Sequence, residues 1–550
     1  MPEQVAQVPG KRAALIADFL TLAIFCGFLF FYGLGSFGLV GADEPRYAQI
    51  AREMLARHDW VTPVLNGTAW LEKPVLYYWG AILSYKLFGV SDWAARVPSA
   101  TMATMLVFSV YLFLRRLRPG SQLDGALIVA SSVAVIGFAR AASTDMPLTA
   151  MFGIALLAWY AWLETDEKRW LGFAYFFVAL ATLAKGPVAP FLALLIVLAF
   201  CLVLRDFKVL ARMLWLPGLA IYFTVMLPWY VLVEIRNPQF VRVFFLEHNL
   251  QRFSTNMFQH HQPFWYFIPV LLVSVLPWTV PVGVALFRAI RKLFRERLQT
   301  SGTFELFLLL WGFLPIVFFS LSESKLPGYI LPAIPAFGLM LADYLWQRQK
   351  QARRVPATVV VIHCLLNGTM LTGALLVWYW VSRVRPIPGA VVAAAIVGGS
   401  IALAMIAVIL LRGIATLRLM TMVPVVLGMA FLIKMGAPVM DAHLSSRTLA
   451  REISAMEPTP APVAVFGVKR DVDYGLNFYR NEQIFNYQQG NVPAVAHLLI
   501  VPEGRIQDAQ SLAPGWKALP VGSYKPQKLE MYWMSRVSPE ANAGPSPGSK

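Results

Sequence analysis

Along this chain, long apolar runs alternate with short polar connections. Thirteen runs stand out, near 13–35, 93–114, 122–139, 146–163, 170–185, 187–204, 213–234, 264–287, 304–321, 327–346, 356–381, 388–411 and 418–437. A helix needs about 20 apolar residues to cross roughly 30 Å of hydrocarbon. The runs are continuous rather than alternating in and out, which argues against a β-barrel. The pattern therefore predicts a polytopic α-helical membrane protein with about 13 transmembrane helices. No small-residue cleavage site follows the first run, so it is expected to be a retained span and not a signal peptide.

The polar connections sort by charge. Lys11 and Arg12, "RRLRP", "DEKR", "RDFKVLAR", "FRAIRKLFRER", "QRQKQARR" and "LRGIATLR" fall on alternate sides of the runs, hence on one face. The positive-inside rule makes that face cytoplasmic, with the N-terminus there. An odd number of spans then carries the C-terminal segment to the periplasmic side of a bacterial inner membrane. Composition agrees: 58% of the 550 residues are hydrophobic and 14% charged, where a soluble domain carries roughly a quarter charged. The net charge of +17 reads as loop bias and contact with membrane lipids, not as a nucleic-acid footprint. Cys26, Cys201 and Cys364 lie scattered inside apolar runs, as small hydrophobes do.

Two segments on the outer face are too short to span. "DEPRYAQIAREML" sets Tyr47, Ile50, Ala51, Met54 and Leu55 on one stripe, predicting a juxtamembrane helix near 43–57 with Asp43 as its N-cap. A second is predicted near 239–253, where His248 and Arg252 share a face. After residue 440 the pattern changes. "SSRTLAREISAM" reads as a helix, and "PVAVFGV", "HLLIVPE" and "KLEMYWMSR" read as strands. The chain thus divides into a transmembrane domain at 1–439, a small periplasmic α/β domain at 440–536 and a disordered tail at 537–550.

Ionisable groups at the rim of an apolar body are expensive and tend to be functional. They gather in six pieces: Asp43, Glu44, Arg46 and Tyr47; "LEKP" with Glu72 and Lys73; "STDMP" with Asp145; "AKGP" with Lys185; "EHNLQRF" with Glu247, His248 and Arg252; and "SESKLPGYILP" with Lys325 and Tyr329. All are expected at outer ends. Cations mixed with a few acids suit a substrate with an apolar tail and an anionic head, such as a lipid-linked phosphate, since Arg grips phosphate oxygens and Lys adds point charge. A nearby Asp can act as general base toward an attacking hydroxyl.

Together "ADEPRYAQIAREML", "LEKPVLYYW", "TDMPL", "AKGP", "EHNLQRF" with "HHQPFWYFIPVLLVSVLPW", and "SKLPGYILP" resemble polyprenyl-phosphate-dependent glycosyltransferases of the GT-C class. The nearest subgroup is the aminoarabinose transferases that modify lipid A, with protein O-mannosyltransferases as more distant relatives. The resemblance runs from about residue 10 to 440. It implies a GT-C transmembrane architecture and transfer of a sugar from undecaprenyl phosphate to a periplasmic acceptor by inverting displacement. The acceptor is lipid A, another envelope glycan or protein. It implies Asp43, Asp145 and Glu44 as catalytic acids, and Arg46, Lys73, Lys185, Arg252, Lys325 and Tyr329 as partners of the lipid phosphate. Glu72 and His248 are implied as ligands of a divalent metal ion, zinc or magnesium/manganese. "EHNLQRF" is one residue longer than the subgroup's version, which shifts the residue that faces the site. No nucleotide, nucleic acid or second protomer is expected.

Each piece also has a plainer reading. Asp43 and Asp145 could only cap helices, Glu72 and Lys73 could form an interfacial ion pair, Lys185 could snorkel, and His248 could be a hydrogen-bonded histidine. The "NGT" sequon at Asn66 is read as chance. A transporter or flippase of an anionic lipid is the rival class; it predicts internal repeats and charges near span centres, and neither is evident. A sensor built on the C-terminal domain leaves the outer acids unexplained.

Overall fold

The computed structural model describes residues 11–244, 262–295, 303–456 and 461–536. Among them, nine helices are long and apolar enough to cross a membrane, and eleven spans result if each of two bent pairs counts once. The bent pairs are Gln122–Ser131 with Val133–Ala139, and Phe264–Ser274 with Thr279–Leu293. Two more predicted runs form helices that miss the criterion, Lys168–Lys185 with three charges at its ends and Val188–Leu204 with 17 residues. All thirteen runs are therefore helical. The helices Asp145–Thr165 and Pro327–Lys350 are almost wholly buried and form the centre of the body, whereas Leu216–Arg236 and Pro388–Arg412 leave most of their length exposed.

Side-chain contacts fix which helix ends lie together. At one end, Arg118 meets Glu164, Trp346 Nε1 donates to Pro119 O, Lys292 meets Glu305, and Arg418 meets Asp124. At the other lie the starts of Asp92–Leu117 and Asp145–Thr165 and the finish of Lys168–Lys185. The 21-residue Asp145 helix separates the two by about 30 Å, one hydrocarbon thickness.

At the Asp145 end the first span breaks in a π-turn, Gly27–Phe31, and its freed carbonyls need donors. Two buried arginines supply them. Arg140 donates to Leu29, Tyr32 and Gly33 O at 2.8–3.1 Å. Arg96 donates to Leu34, Phe37 and Gly38 O, each at 2.8 Å. Residues 29–38 are thereby wrapped onto two spans, which sets the entry to the helix Asp43–Ala56.

The last apolar helix runs on through a π-turn to Leu444, past the expected boundary. Beyond it a five-stranded sheet is built from β3 (Val463–Val465), β4 (Phe485–Asn486), β5 (His497–Pro502), β6 (Trp516–Tyr524) and β7 (Leu529–Arg536), in the order β4-β3-β5-β7-β6. The two-residue strands β1 (Val64–Leu65) and β2 (Thr68–Ala69) form a separate hairpin. β3 pairs in parallel with β4 and β5, and β7 antiparallel with β5 and β6. Val463, Val465, Leu498 and Ile500 face one core, Ala464, Leu499 and Val501 the other, the period-two signature of a sheet covered on both faces. The helix Arg447–Met456 and strands β3, β5 and β7 lie where the pattern predicts them. β6 and the helix Arg470–Arg480 were not predicted. β6 contains Pro520 and a bulge between Pro520 and Gly522, both tolerated because it is an edge strand.

The sheet domain is clamped to the Asp43 end. Asp92 accepts from Tyr479 Oη and Arg447, and Asp441 accepts from Arg447 and from Gly38 N at 2.7 Å. A Cβ on Gly38 would stand 2.2 Å from Ser445 Oγ, so only glycine allows this contact.

Candidate functional site

The Asp43 helix begins one residue earlier than a capping role requires. Ala42 is the N-cap and makes no side-chain cap bond, and Asp43 is the first helical residue. Its carboxylate pairs instead with Arg46 one turn on, and it is 55% exposed while the Arg46 side chain is 11% exposed. Three aromatic rings surround the guanidinium: Trp70 at 5.0 Å, Tyr47 at 5.1 Å and Tyr474 at 5.4 Å. Tyr474 comes from the sheet domain, on the helix Arg470–Arg480. Burial alone would weaken the Arg46 charge, but Tyr47, Asp43 and Glu72 outweigh it and hold its pKa above the usual arginine value.

The Asp145 carboxylate, at the first residue of its helix, pairs with Lys185 at the last residue of the helix Lys168–Lys185. The Lys185 ammonium also lies 5.3 Å from the Tyr329 ring. Two glycines permit this crowding. A Cβ on Gly328 would press Phe138 at 2.9 Å and Asp145 Oδ1 at 3.1 Å. Gly186, at φ +87°, caps the Lys185 helix, and a Cβ there would strike Phe244 at 2.4 Å.

Tyr47 joins the two halves. Burial, and next the Asp43 carboxylate, push its phenol well above the usual tyrosine range; Asp145 and Glu72 push the same way and Arg46 opposes them. Three separate pieces of chain thus place charge around one hydroxyl. Around them Arg46 Nε, Trp70 Nε1 and Tyr78 Oη are buried without a hydrogen-bond partner. Unpaired buried donors are rare and call for an explanation; an oxygen-rich ligand would satisfy them.

The remaining expected residues fall differently. Glu44 has both oxygens occupied: Arg96 and Val40 N donate to Oε2 at 2.6 and 2.9 Å, and Ala142 N to Oε1 at 3.0 Å. It ties the Asp43 helix to two spans and offers no free oxygen for proton transfer. Lys325 is buried and donates to Ser322 O within its own loop. Glu72 and Lys73 are half-buried beside the Asp43 helix. Arg252, His248 and Glu247, and most of the helix expected near 239–253, lie outside the described residues. For the implied metal, Glu72 lies within the electrostatic reach of the Arg46 guanidinium, a poor neighbour for a dication. Among the described residues no three His, Cys, Asp or Glu side chains gather to hold an ion.

Sequence reasoning missed Arg96, Arg140, Tyr78, Trp70 and Tyr474. For the arginines a signal existed: each sits at the edge of an apolar run, where a charge needs partners. Tyr474 had none, since its role depends on a docking across more than 400 residues of chain.

Comparisons with known proteins fit this geometry. The family model described as "Dolichyl-phosphate-mannose-protein mannosyltransferase" matches residues 72–231. The chain is 33% identical over 358 residues to the undecaprenyl phosphate-alpha-4-amino-4-deoxy-L-arabinose arabinosyl transferase of Serratia proteamaculans, covering 64% of this chain and 62% of that one. Its counterpart in Pseudomonas paraeruginosa is 35% identical over 340 residues, covering 60% of each. The match thus spans about three fifths of these relatives' length. The fold is that of the ArnT crystal structure from Cupriavidus metallidurans bound to undecaprenyl phosphate, with a TM-score of 0.76 at 22% identity, covering 98% of this chain and all of that one. The resemblance read from the motifs and the GT-C architecture it implies are both borne out.

Proposed function

We propose that this protein is a GT-C-class glycosyltransferase of the bacterial inner membrane. It moves a sugar from undecaprenyl phosphate to an acceptor at the Asp43 end, on the periplasmic side. The relatives' names favour 4-amino-4-deoxy-L-arabinose as the sugar, and lipid A is the acceptor the resemblance implies. One observation carries the reading: Arg46, paired with Asp43, is enclosed by the rings of Tyr47, Trp70 and Tyr474, and around it Arg46 Nε, Trp70 Nε1 and Tyr78 Oη are buried without partners.

In this reading the acceptor hydroxyl attacks the anomeric carbon. The new C–O bond forms as the bond to the phosphate oxygen breaks, and the lipid phosphate leaves with the electron pair. Asp43, exposed to the aqueous side, takes the hydroxyl proton. Arg46, walled by aromatic rings, keeps that carboxylate aimed. Asp145 and Lys185 fix the opposite wall; Lys185, beside the Tyr329 ring, and Lys73 supply positive charge for the departing phosphate. Donors preorganised in such a site contribute about 3–4 kcal/mol each. Glu44 and Lys325 are assigned shaping roles, because the oxygens of one and the ammonium of the other are already engaged within the fold.

The test is transfer from a synthetic undecaprenyl-phosphate sugar by full-length protein in membranes. Asp43→Asn should abolish it while insertion stays normal; near wild-type turnover removes Asp43 from the mechanism. Mass spectrometry of lipid A, envelope polysaccharide and periplasmic proteins from a deletion strain identifies the acceptor, and no change in any of the three overturns the transferase reading.

A further inference from the structure

A second polar site lies at the far end of the Asp43 helix. There the chain turns through His58, at φ +52°, and Asp59 Oδ1 accepts from Val61 N, Thr62 N and Arg236. Arg57, His58, Asp59, Trp60, Val61 and Arg236 line an open cavity of about 440 Å³. Lys86, from the helix Leu76–Phe88, sits 4.8 Å from the Trp60 ring on its rim.

The charge balance here is positive. Arg57, Lys86 and Arg236 set three cations against the single carboxylate of Asp59, which is itself engaged. Arg57, His58 and Lys86 have no ion-pair partner among the described residues. The cations also stand at the Asp43 end, opposite the basic loops, where loop-charge bias disfavours them.

The surroundings are apolar. Leu83 and Leu87 on the Lys86 helix are 55% and 67% exposed, and Ile235, next to Arg236 at the end of a span, is 70% exposed. Trp60 is exposed as well, and tryptophan favours the headgroup level. Unpaired cations over a lipid-facing apolar surface are the arrangement that holds a phosphate headgroup while its acyl chains remain in the bilayer.

We infer that this cavity is a binding site for the phosphate of an anionic lipid in the leaflet at the Asp43 end. It is separate from the Asp43–Asp145 cluster, since the 14-residue helix Asp43–Ala56 puts about 20 Å between its two ends. The site needs no assumption about the transfer reaction.

The test is native mass spectrometry of the full-length protein, titrated in detergent with phosphatidylglycerol or phosphatidylcholine. The wild type should retain phosphatidylglycerol in preference. Arg57→Gln with Lys86→Gln should weaken phosphatidylglycerol retention about 25-fold, each cation near an anionic surface being worth roughly a factor of five, and leave phosphatidylcholine unchanged. The single variant Arg57→Gln removes an exposed, unpaired side chain and so tests the site without risk to folding; it should lose about fivefold. Equal retention of the two lipids by the wild type overturns the inference, as does unchanged phosphatidylglycerol retention in both variants. Displacement of the lipid by an equal concentration of inorganic phosphate overturns the lipid reading in favour of a simple anion site.

Discussion

At the Arg118 end of the helical body, Arg118 grips both oxygens of Glu164 at 2.9 and 3.2 Å. Lys292 meets Glu305 and Arg418 meets Asp124, both at 2.6 Å. Each of these three cations is matched to a carboxylate on a neighbouring helix end, and the pairs fasten helices. At the Asp43 end the same residue types are arranged differently. Asp43 is mostly exposed although its partner is buried, Arg46 faces rings more than oxygens, and Tyr78 and Trp70 hold unused donors. The contrast teaches that composition does not distinguish a fastening from a site. What differs is whether each polar group's capacity is already used within the fold.

The largest test of that contrast is Asp43→Asn. It should lower transfer by about 10³-fold, within the range for loss of a general base. Arg118→Gln at the other end should leave turnover unchanged and lower only the unfolding midpoint. Equal losses from both would erase the distinction. Next comes Arg96→Ala, which strands the buried Glu44 carboxylate and three carbonyls. Breaking such a buried pair costs about 3–5 kcal/mol, so the variant should fail to accumulate as folded protein, while Glu44→Gln, which leaves Arg96 its three carbonyl partners, should be destabilised less, still accumulate and retain activity. An inactive but folded Glu44→Gln would return Glu44 to the chemistry.

A smaller effect sharpens the role of the sheet domain. Tyr474→Ala removes one wall of the Arg46 cage, worth about 1 kcal/mol for a partly buried cation–π contact. It should change transfer about fivefold, with Tyr474→Phe near wild type. Retained activity in the alanine variant would make the docking of that domain purely structural.

The smallest effect lies in the sheet itself. His497 is fully buried, with Nδ1 bonded to Val495 O at 2.7 Å and Nε2 to Tyr487 Oη at 2.6 Å. Burial lowers its pKa below the ordinary 6.5. The unfolded chain therefore takes up the proton first, so this stability is complete above about pH 6.5 and is lost as pH falls from there toward the folded value. Protection factors of the β5 amides should fall across that interval, and His497→Gln should flatten the response. An unchanged pH dependence in that variant would assign the effect elsewhere.

The spans were legible because a helix in hydrocarbon must satisfy its own backbone and present apolar side chains, leaving an unmistakable run. The motif-bearing ends were legible for the complementary reason, since charges at an apolar rim are costly and stand out. Glu44 and Asp43 were not told apart, because neighbouring carboxylates in "ADEPR" look alike in one dimension. Only packing shows that Glu44 is buried against Arg96 while Asp43, though paired with Arg46, stays largely exposed. β6 was hidden by its proline, and the helix Arg470–Arg480 by the charged residues at its two ends.

By itself, then, the order of residues determined the thirteen helical runs, the sidedness of their charges and the six pieces from which a site could be made. Those depend on the local match between side chain and solvent. The tertiary structure alone decided which acids remain available, how Arg96 and Arg140 hold the broken first span, and that Tyr474 reaches Arg46 from the far end of the chain. Those depend on contacts between segments hundreds of residues apart, whose closure is set by the whole packed body and leaves no periodic trace along the chain.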